Sequence, residues 1–298
     1  MKKVIFAIIV IALVGVGIYY FINNPSDTEI SLNEQVATTT IEVATTTIPV
    51  DKEKTNIGNS IEGRAIMAYH FGEGDTELLL VSGLHGGYEW NTVLLAYETM
   101  DYLKANPEVI PANIKLTVIP VLNPDGLNKV VGTSTRFTLA DVPTNDTETV
   151  PGRFNADSVD LNRNFDCDWQ ASGTWQNKTV SGGSEVFSEP ESQALRNYVE
   201  AKNPKAVVVW YSAAGGVFSS SCHNGVLAET KTLTNTYAQA SGYKAYEDFD
   251  FYEITGDMVN WLAKKEIPAI SVLLTNHKDT EWTKNKAGIE SLLKYYAD

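Results

Sequence analysis

The chain has 298 residues, 43% of them hydrophobic, which is enough to bury one large α/β core with sequence left over at the N-terminus. Its formal net charge is −14 at pH 7, and positive side chains are adjacent in sequence only as the pairs Lys2–Lys3 and Lys264–Lys265. Because phosphate contacts need clustered lysines and arginines, this distribution argues against nucleic acid as a partner. We expect one domain of catalytic size with an N-terminal appendage.

Residues 1–24 are predicted to form a transmembrane anchor. The uncharged run Val4–Ile22 has nineteen residues, which as a helix would span about 28 Å of a hydrocarbon core about 30 Å thick. The run ends in bulky residues rather than the small ones of a cleavage site, although a signal peptide cleaved near Gly15–Gly17 is the alternative. Positive residues tend to stay cytoplasmic, so the large domain is expected outside the membrane, either anchored or secreted.

Residues 25–56 are predicted to form a stalk. They contain the seven-residue repeat VATTTIE at 36–42 and VATTTIP at 43–49. Two copies are too few for a solenoid, and threonine-rich sequence with proline is typical of extended, glycosylated spacers. The folded domain is then expected to occupy residues 57–298.

From about Ile57 the pattern alternates between strands and helices, which predicts a mixed, twisted sheet flanked by helices in a single α/β domain. The predicted strands are Arg64–Phe71, Glu77–Leu84, Ile114–Val121, Ala206–Tyr211 and Ala269–Leu274. The predicted helices are Glu89–Lys104, Glu189–Lys202, Leu227–Ser241, Gly256–Lys265 and Glu281–Tyr296. The second helix is expected to begin with a capping box at Ser188–Glu191, and 127–155 is expected to be a long functional loop.

The chain has two cysteines, Cys167 and Cys222. In the predicted topology both lie outside the membrane, where disulfides persist, so we expect a bridge between them. Closing a loop of roughly 56 residues would stabilise the fold by about 4 kcal/mol in the chain-entropy treatment. Free thiols or metal ligation are the alternatives.

His85 follows the apolar run Leu78–Leu84, at the carboxyl end of a predicted buried strand. This is the edge at which open α/β sheets place their sites. Glu89 comes four residues later, at the start of a predicted helix. Imidazole nitrogen and carboxylate oxygen both bind zinc, at about 2.0 to 2.2 Å, so the two side chains are a candidate metal pair.

Over residues 57–298 the chain resembles the zinc carboxypeptidases of the A/B type. That family supplies two zinc ligands as His-x-x-Glu, and the run from His85 to Glu89 is one residue longer, which leaves Tyr88 at the strict spacing. The resemblance implies Glu89 as the second ligand, with the extra residue absorbed by Gly86–Gly87. The family's Asn-Pro-Asp-Gly turn is Asn123–Gly126. The resemblance also implies zinc as cofactor and peptides as ligands.

The same resemblance assigns residues that contact the substrate. Asn162 and Arg163, within the run DLNRNF, match the pair that clamps the C-terminal carboxylate of a peptide, a task that suits the guanidinium fork. Arg153 matches the arginine that stabilises the oxyanion, and Asp160 matches the carboxylate that orients the first zinc histidine. Tyr252 matches the mobile tyrosine that closes over the substrate.

Two positions depart from the family pattern. The third zinc ligand is expected to be a histidine at the end of a central strand, but Tyr211 occupies that place, and neutral phenol is a poor zinc ligand. The general base is expected to be a glutamate near the end of a late strand, but that place holds Leu273, which cannot accept a proton. Losing general acid–base catalysis typically costs about 10² to 10⁴ in rate. His223 or His277 are candidates for a substitute ligand.

The sequence therefore predicts a protein that recognises peptide C-termini outside the membrane and whose hydrolytic activity is impaired. The residues that hold a terminal carboxylate are present, whereas a zinc histidine and the catalytic glutamate are replaced. One alternative is an active metallocarboxypeptidase with a rearranged zinc site. The other is a receptor without catalytic activity for peptides or cell-wall stems.

Overall fold

The computed structural model describes residues 53–297, in which ten strands form one sheet of eight strands and one two-stranded hairpin. The strands are β1 (Lys54–Asn59), β2 (Ala65–Phe71), β3 (Thr76–Val81), β4 (Ile114–Ile119), β5 (Ser172–Trp175), β6 (Lys178–Ser181), β7 (Ala206–Ser212), β8 (Gly216–Ser219), β9 (Ala245–Tyr246) and β10 (Ala269–Leu274). The hairpin pairs β5 with β6, and the large sheet has the order β1-β2-β4-β3-β7-β10-β8-β9.

The centre of the large sheet is parallel. Strands β4, β3, β7 and β10 run in the same direction, whereas β2 and β8 pair with this block in the antiparallel sense. Parallel strands need crossover connections, and these put helices on both faces of the sheet. The carboxyl ends of the four central strands therefore lie along one edge, which is the edge used by the candidate site.

Six α-helices lie among the described residues, and they cover both faces of the sheet. They are α1 (Trp90–Ala105), α2 (Pro124–Val131), α3 (Pro190–Lys202), α4 (Ala228–Ser241), α5 (Met258–Lys264) and α6 (Trp282–Tyr295). Successive strand residues point to opposite faces, so Leu78 and Leu80 of β3 pack with residues of α1, α4 and α6. Leu79 and Val81 pack on the other face with residues of α3 and α5.

The predicted mixed sheet between helices is confirmed. Each of the five predicted strands and five predicted helices is present within a few residues of its predicted bounds, and β10 has the predicted bounds. The strands that sequence reading missed are β1, β5, β6, β8 and β9, which are two to six residues long. Strands β5, β6, β8 and β9 have four residues or fewer, which is too few for an alternating pattern to be recognised, whereas β1 has six residues but is mostly polar and exposed.

The predicted anchor at residues 1–24 lies outside the described residues, as does most of the predicted stalk. Strand β1 begins at Lys54, within the range 25–56 assigned to the stalk and three residues before the expected start of the domain. Between residues 53 and 297, no helix combines the length and the apolar character that crossing a membrane requires.

The capping box predicted at Ser188–Glu191 is wrong. Helix α3 begins at Pro190, its N-cap is Glu189, and the Glu189 side chain makes no capping hydrogen bond. The Ser188 hydroxyl lies one residue too early to cap this helix and donates to Glu189 Oε1 at 2.6 Å. Proline at the first helical position still fits, because its missing N–H would have no helical partner.

The loop predicted over 127–155 is partly wrong, because residues 127–131 belong to α2. The side chain of Asn123 caps this helix by accepting a hydrogen bond from the Gly126 N–H at 2.8 Å. The Asn-Pro-Asp-Gly sequence is therefore a helix start, with proline in the first turn, rather than an isolated turn. Beyond residue 131 the segment holds only short 3₁₀ turns.

Cys167 and Cys222 form the predicted disulfide, with Cα atoms 6.2 Å apart and 55 positions between them in sequence. No cysteine among the described residues is free. The bridge joins the segment that follows the DLNRNF run to the segment that follows β8. The alternative of two free thiols does not hold for this structure.

Glu281 predicts a pH dependence of stability. Burial alone would raise its pKa, but hydrogen bonds from Lys284, Thr275 and Tyr243 outweigh it and lower the pKa to about 2. A lowered pKa contributes stability above the unfolded-state pKa, near 4.3, and loses it as pH falls. Glu281→Gln should therefore reduce the free energy of unfolding at pH 7, with the difference shrinking between about pH 5 and pH 2. Urea denaturation of both proteins across this pH range measures the difference in the free energy of unfolding. A difference that does not change with pH would contradict this role of Glu281.

Candidate active site

A cavity of about 740 Å³ opens at the carboxyl ends of the central strands. His85 follows β3, Tyr211 is near the end of β7, and Leu273 is near the end of β10, and all three line the cavity. The β5–β6 hairpin contributes Trp175 to the wall, and the segment before α5 contributes Tyr252. This is the edge at which the sequence predicted a site.

His85 and Glu89 form a buried pair. His85 Nδ1 lies 2.8 Å from Glu89 Oε1, and the side chains are 4% and 3% exposed. A 3₁₀ turn, residues Gly86–Glu89, brings them together. Gly86 has a φ of +43°, and a Cβ on Gly87 would lie 2.4 Å from Val130 Cβ, so the turn requires both glycines. The two glycines thus accommodate the extra residue, as predicted.

Asp160 lies behind this pair and is fully buried. Its Oδ1 lies 3.4 Å from His85 Nε2, without the alignment of a hydrogen bond. Its Oδ2 accepts a hydrogen bond from Arg153 Nε at 3.0 Å and forms an ion pair with Arg153 Nη2 at 2.9 Å. Burial alone would raise the pKa of Asp160, but Arg153 and His85 hold it well below its usual value. Asp160 therefore holds Arg153 in place as an ionised carboxylate and lies beside His85.

The electrostatics of His85 follow from these neighbours. Burial lowers its pKa and so does Arg153, but the carboxylates of Glu89 and Asp160 outweigh both and raise the pKa above the ordinary 6.5. The imidazole therefore lies between two anionic groups that favour its protonated form.

Asn162 and Arg163 are placed differently from each other. Asn162 lines the cavity, where its amide donates to Asp257 Oδ2 at 2.9 Å and its Oδ1 accepts from the Tyr211 hydroxyl at 3.2 Å. Arg163 is buried and donates to backbone carbonyls of Thr174 (3.1 Å), Glu253 and Thr255. Arg163 is not one of the described residues that line the cavity. The guanidinium that reaches the cavity is therefore that of Arg153.

Tyr252 lies over the cavity on the segment before α5. It is 49% exposed, and its ring lies 4.9 Å from that of Phe249 and 5.8 Å from the Arg163 guanidinium carbon. Burial of the hydroxyl is the largest cause that raises its pKa, so the phenol is neutral and able to donate a hydrogen bond. This position agrees with a residue that covers a bound ligand.

Tyr211 and Leu273 face the same cavity from adjacent strands. They are direct Cα partners in the parallel pairing of β7 and β10. The ring of Tyr211 lies 5.7 Å from that of His85, and burial raises its pKa well above 10, which keeps the phenol neutral. The two departures from the family pattern thus lie side by side at the site.

The sequence of this chain matches the family model described as zinc carboxypeptidase over residues 39–291, which is more than half of its length. The chain belongs to the zinc carboxypeptidase family. It is similar to gamma-D-glutamyl-L-diamino acid endopeptidase 1 of Lysinibacillus sphaericus, at 25% identity over 66% of the chain and 54% of that protein. The chain thus spans about half the length of this relative.

Solved structures of the family share the fold at low identity. The murein-tripeptide amidase of Escherichia coli aligns with a TM-score of 0.56 at 19% identity, over 81% of this chain and 91% of the amidase. Thrombin activatable fibrinolysis inhibitor aligns with a TM-score of 0.66 at 14% identity, over 82% of this chain and 71% of that one. At these identities the likeness shows the fold.

The described residues of this cavity do not supply the full set of ligands that a catalytic zinc ion needs. Catalytic zinc sites have three protein ligands, and His85 with Glu89 supply two. Within residues 53–297 the ligand atoms of three or more His, Cys, Asp or Glu residues gather within 4.8 Å in one place only, at Cys167, Asp168, Cys222 and His223. Neither His223 nor His277, the candidates for a substitute ligand, joins His85 and Glu89 in such a cluster, and the pair does not fit a catalytic zinc site.

Two residues of the cavity were missed from the sequence. Trp175 lies 4.6 Å from the Arg153 guanidinium carbon and packs edge-on against Tyr88, with ring centroids 5.2 Å apart. Gln176 donates to the Tyr88 hydroxyl at 3.1 Å. Their shared neighbour Tyr88 could be noticed in the sequence, because it occupies the position of the family's His-x-x-Glu glutamate. Trp175 could not, because it lies on a hairpin that the sequence did not predict. His277 also lines the cavity, 4.7 Å from Tyr88 between ring centroids.

Proposed function

We propose that this protein binds peptides with a free carboxylate and lacks the ordinary zinc-dependent hydrolysis of its family. The observation that carries the proposal is the pairing of Tyr211 with Leu273 at the cavity wall. Tyr211 cannot serve as an ordinary third zinc ligand while its phenol is neutral. Leu273 has no group that could take a proton from water. Both parts of water activation are therefore lost at one place.

Carboxylate recognition is assigned to Arg153. Its Nε and Nη2 are engaged by Asp160, and within residues 53–297 its Nη1 has no hydrogen-bond partner. It lines the cavity although its side chain is only 4% exposed. A hydrogen bond to a charged group in such a place contributes about 1.5 to 3 kcal/mol. Tyr252 above the cavity is a second donor for the same ligand.

Peptides of the bacterial cell wall are the proposed ligand class. Two similar proteins carry names that describe such material, one a gamma-D-glutamyl-L-diamino acid endopeptidase and the other a murein-tripeptide amidase. We also propose an extracytoplasmic location with an N-terminal membrane anchor, supported by the apolar run Val4–Ile22 and by the Cys167–Cys222 disulfide.

The test compares a cell-wall peptide bearing a free C-terminal carboxylate with its amidated form by isothermal titration calorimetry. We expect amidation to weaken binding about tenfold or more, because one charge-assisted interaction is lost. Arg153→Lys should weaken binding of the free acid and reduce the difference between the two peptides, since lysine keeps the charge but loses the fork. Equal affinity for both peptides would contradict carboxylate recognition.

Hydrolysis is measured on the same protein supplied with zinc. We expect no release of C-terminal residues at the rates typical of enzymes, about 1 to 10³ per second. Turnover in that range that is sensitive to a chelator would contradict the proposed loss of water activation. It would leave the conclusion about carboxylate binding standing, because the two measurements are independent.

A further inference from the structure

The disulfide lies within a cluster of metal-binding side chains at the rim of the cavity. Asp168 directly follows Cys167, and His223 directly follows Cys222. Both Asp168 and His223 have left-handed backbone conformations, with φ of 51° and 55°, which is uncommon for residues other than glycine. His223 Nε2 lies 3.1 Å from Asp168 Oδ1. The two segments thus place a carboxylate and an imidazole beside the same sulfur pair.

The four groups lie close enough together to share one ion once the two sulfurs separate. One ligand atom from each of Cys167, Asp168, Cys222 and His223 lies within 4.8 Å of all the others. With zinc–sulfur bonds of about 2.3 Å and zinc–nitrogen bonds of about 2.0 Å, ligand atoms around zinc lie roughly 3.3 to 3.8 Å apart. The Cα atoms of the cysteines are 6.2 Å apart, so separating the two sulfurs to this spacing needs side-chain rotation rather than a new backbone path.

The burial of the cluster fits entry of an ion from solvent. The two cysteines are 4% and 5% exposed, whereas the side chains of Asp168 and His223 are 57% and 67% exposed. The sulfurs are therefore held by the domain, and the oxygen and nitrogen ligands can close over an ion that arrives from outside. Asp168, Cys222 and His223 also line the rim of the cavity.

We propose that Cys167, Asp168, Cys222 and His223 bind one zinc ion when the disulfide is reduced. A dithiol reductant donates two electrons and two protons; the S–S bond breaks, two thiols form, and the reductant becomes a disulfide. Zinc then displaces the two thiol protons, which are released to solvent, and bonds to the thiolates, the imidazole and the carboxylate.

This cluster differs from the His85–Glu89 pair both in residues and in chemistry. Two thiolates with one imidazole favour zinc over magnesium or calcium, which prefer oxygen ligands. The competing explanation is a structural disulfide beside an exposed ion pair of the kind that contributes little to stability. Zinc binding that depends on reduction distinguishes the two explanations.

The experiment measures zinc bound by the full chain before and after anaerobic treatment with a dithiol, using a chromogenic chelator as the competitor. We expect the reduced protein to bind one more zinc ion per chain than the oxidised protein. The oxidised sample accounts for any zinc held elsewhere. Cobalt added in place of zinc should give the absorption of a thiolate-bound tetrahedral ion in the reduced sample only.

Variants then identify the ligands. His223→Ala and Asp168→Ala should each lower the zinc affinity of the reduced protein at least about tenfold, since removing even an outer partner typically costs that much. Asp166→Ala is the matched control: it removes a neighbouring exposed carboxylate that pairs with Lys264, and it should leave the affinity unchanged. Equal zinc content before and after reduction would overturn the proposal, as would affinity insensitive to both ligand variants.

Reduction could also unfold the domain, and that outcome is decisive as well. A site that forms only in the folded state couples zinc binding to folding. Near-ultraviolet circular dichroism of the reduced protein should then recover on addition of zinc. A reduced protein that stays unfolded at saturating zinc would overturn the proposal.

Discussion

Replacing Tyr211 with histidine and Leu273 with glutamate together is expected to raise peptide hydrolysis by about 10² to 10⁴-fold. The two positions are Cα partners on β7 and β10, so both new side chains would extend from the same edge of the sheet into the cavity. Tyr211 already lies beside His85, with ring centroids 5.7 Å apart, so a histidine there is placed to join the His85–Glu89 pair. The measurement is release of C-terminal residues in the presence of zinc.

The single variants are the controls for this gain. Tyr211→His should raise zinc content towards one ion per chain with little hydrolysis, and Leu273→Glu should change neither by much, because ligand and base act as a unit. Adding His85→Ala to the double variant should abolish the gain. If the double variant binds zinc stoichiometrically and still does not hydrolyse peptides, the proposal that Tyr211 and Leu273 prevent zinc-dependent hydrolysis is contradicted.

Asp160→Ala is expected to lower the free energy of unfolding by about 3 to 5 kcal/mol, because it leaves a buried charge without its partner. Asp160 is fully buried, accepts a hydrogen bond from Arg153 Nε and forms an ion pair with Arg153 Nη2, and that guanidinium is itself only 4% exposed. It also lies 3.4 Å from His85 Nε2. Urea denaturation measures the loss.

The matched control is Asp166→Ala, which removes an exposed carboxylate paired with Lys264. Both side chains of that pair are 45% exposed, so the change should stay within about 0.5 kcal/mol. The double variant Asp160→Ala with Arg153→Met should recover part of the loss, since the unpaired charge is removed as well. A loss below about 1 kcal/mol for Asp160→Ala alone would show that Arg153 finds another partner.

The sequence by itself determined the framework of this protein. Strand β10 could be predicted to the residue because a short run that is apolar at every position except Ser271 is a short-range signal of a buried strand. His85 and Glu89 could also be predicted as a pair from local sequence. They are four residues apart, and the two glycines between them allow the turn that brings their side chains together. The disulfide also followed from the sequence, because only two cysteines were present to pair.

The tertiary structure alone decided which arginine faces the cavity. The motif predicted Arg163 as part of the clamp, yet its guanidinium donates to carbonyls of Thr174 and Glu253, which come from the β5–β6 hairpin and the segment before α5. Arg153 reaches the cavity instead. The direction of a long side chain depends on donors and acceptors supplied by distant segments, and no local pattern contains that information. For the same reason only the fold shows that Tyr211 and Leu273 are neighbours, although each departure could be read from the sequence.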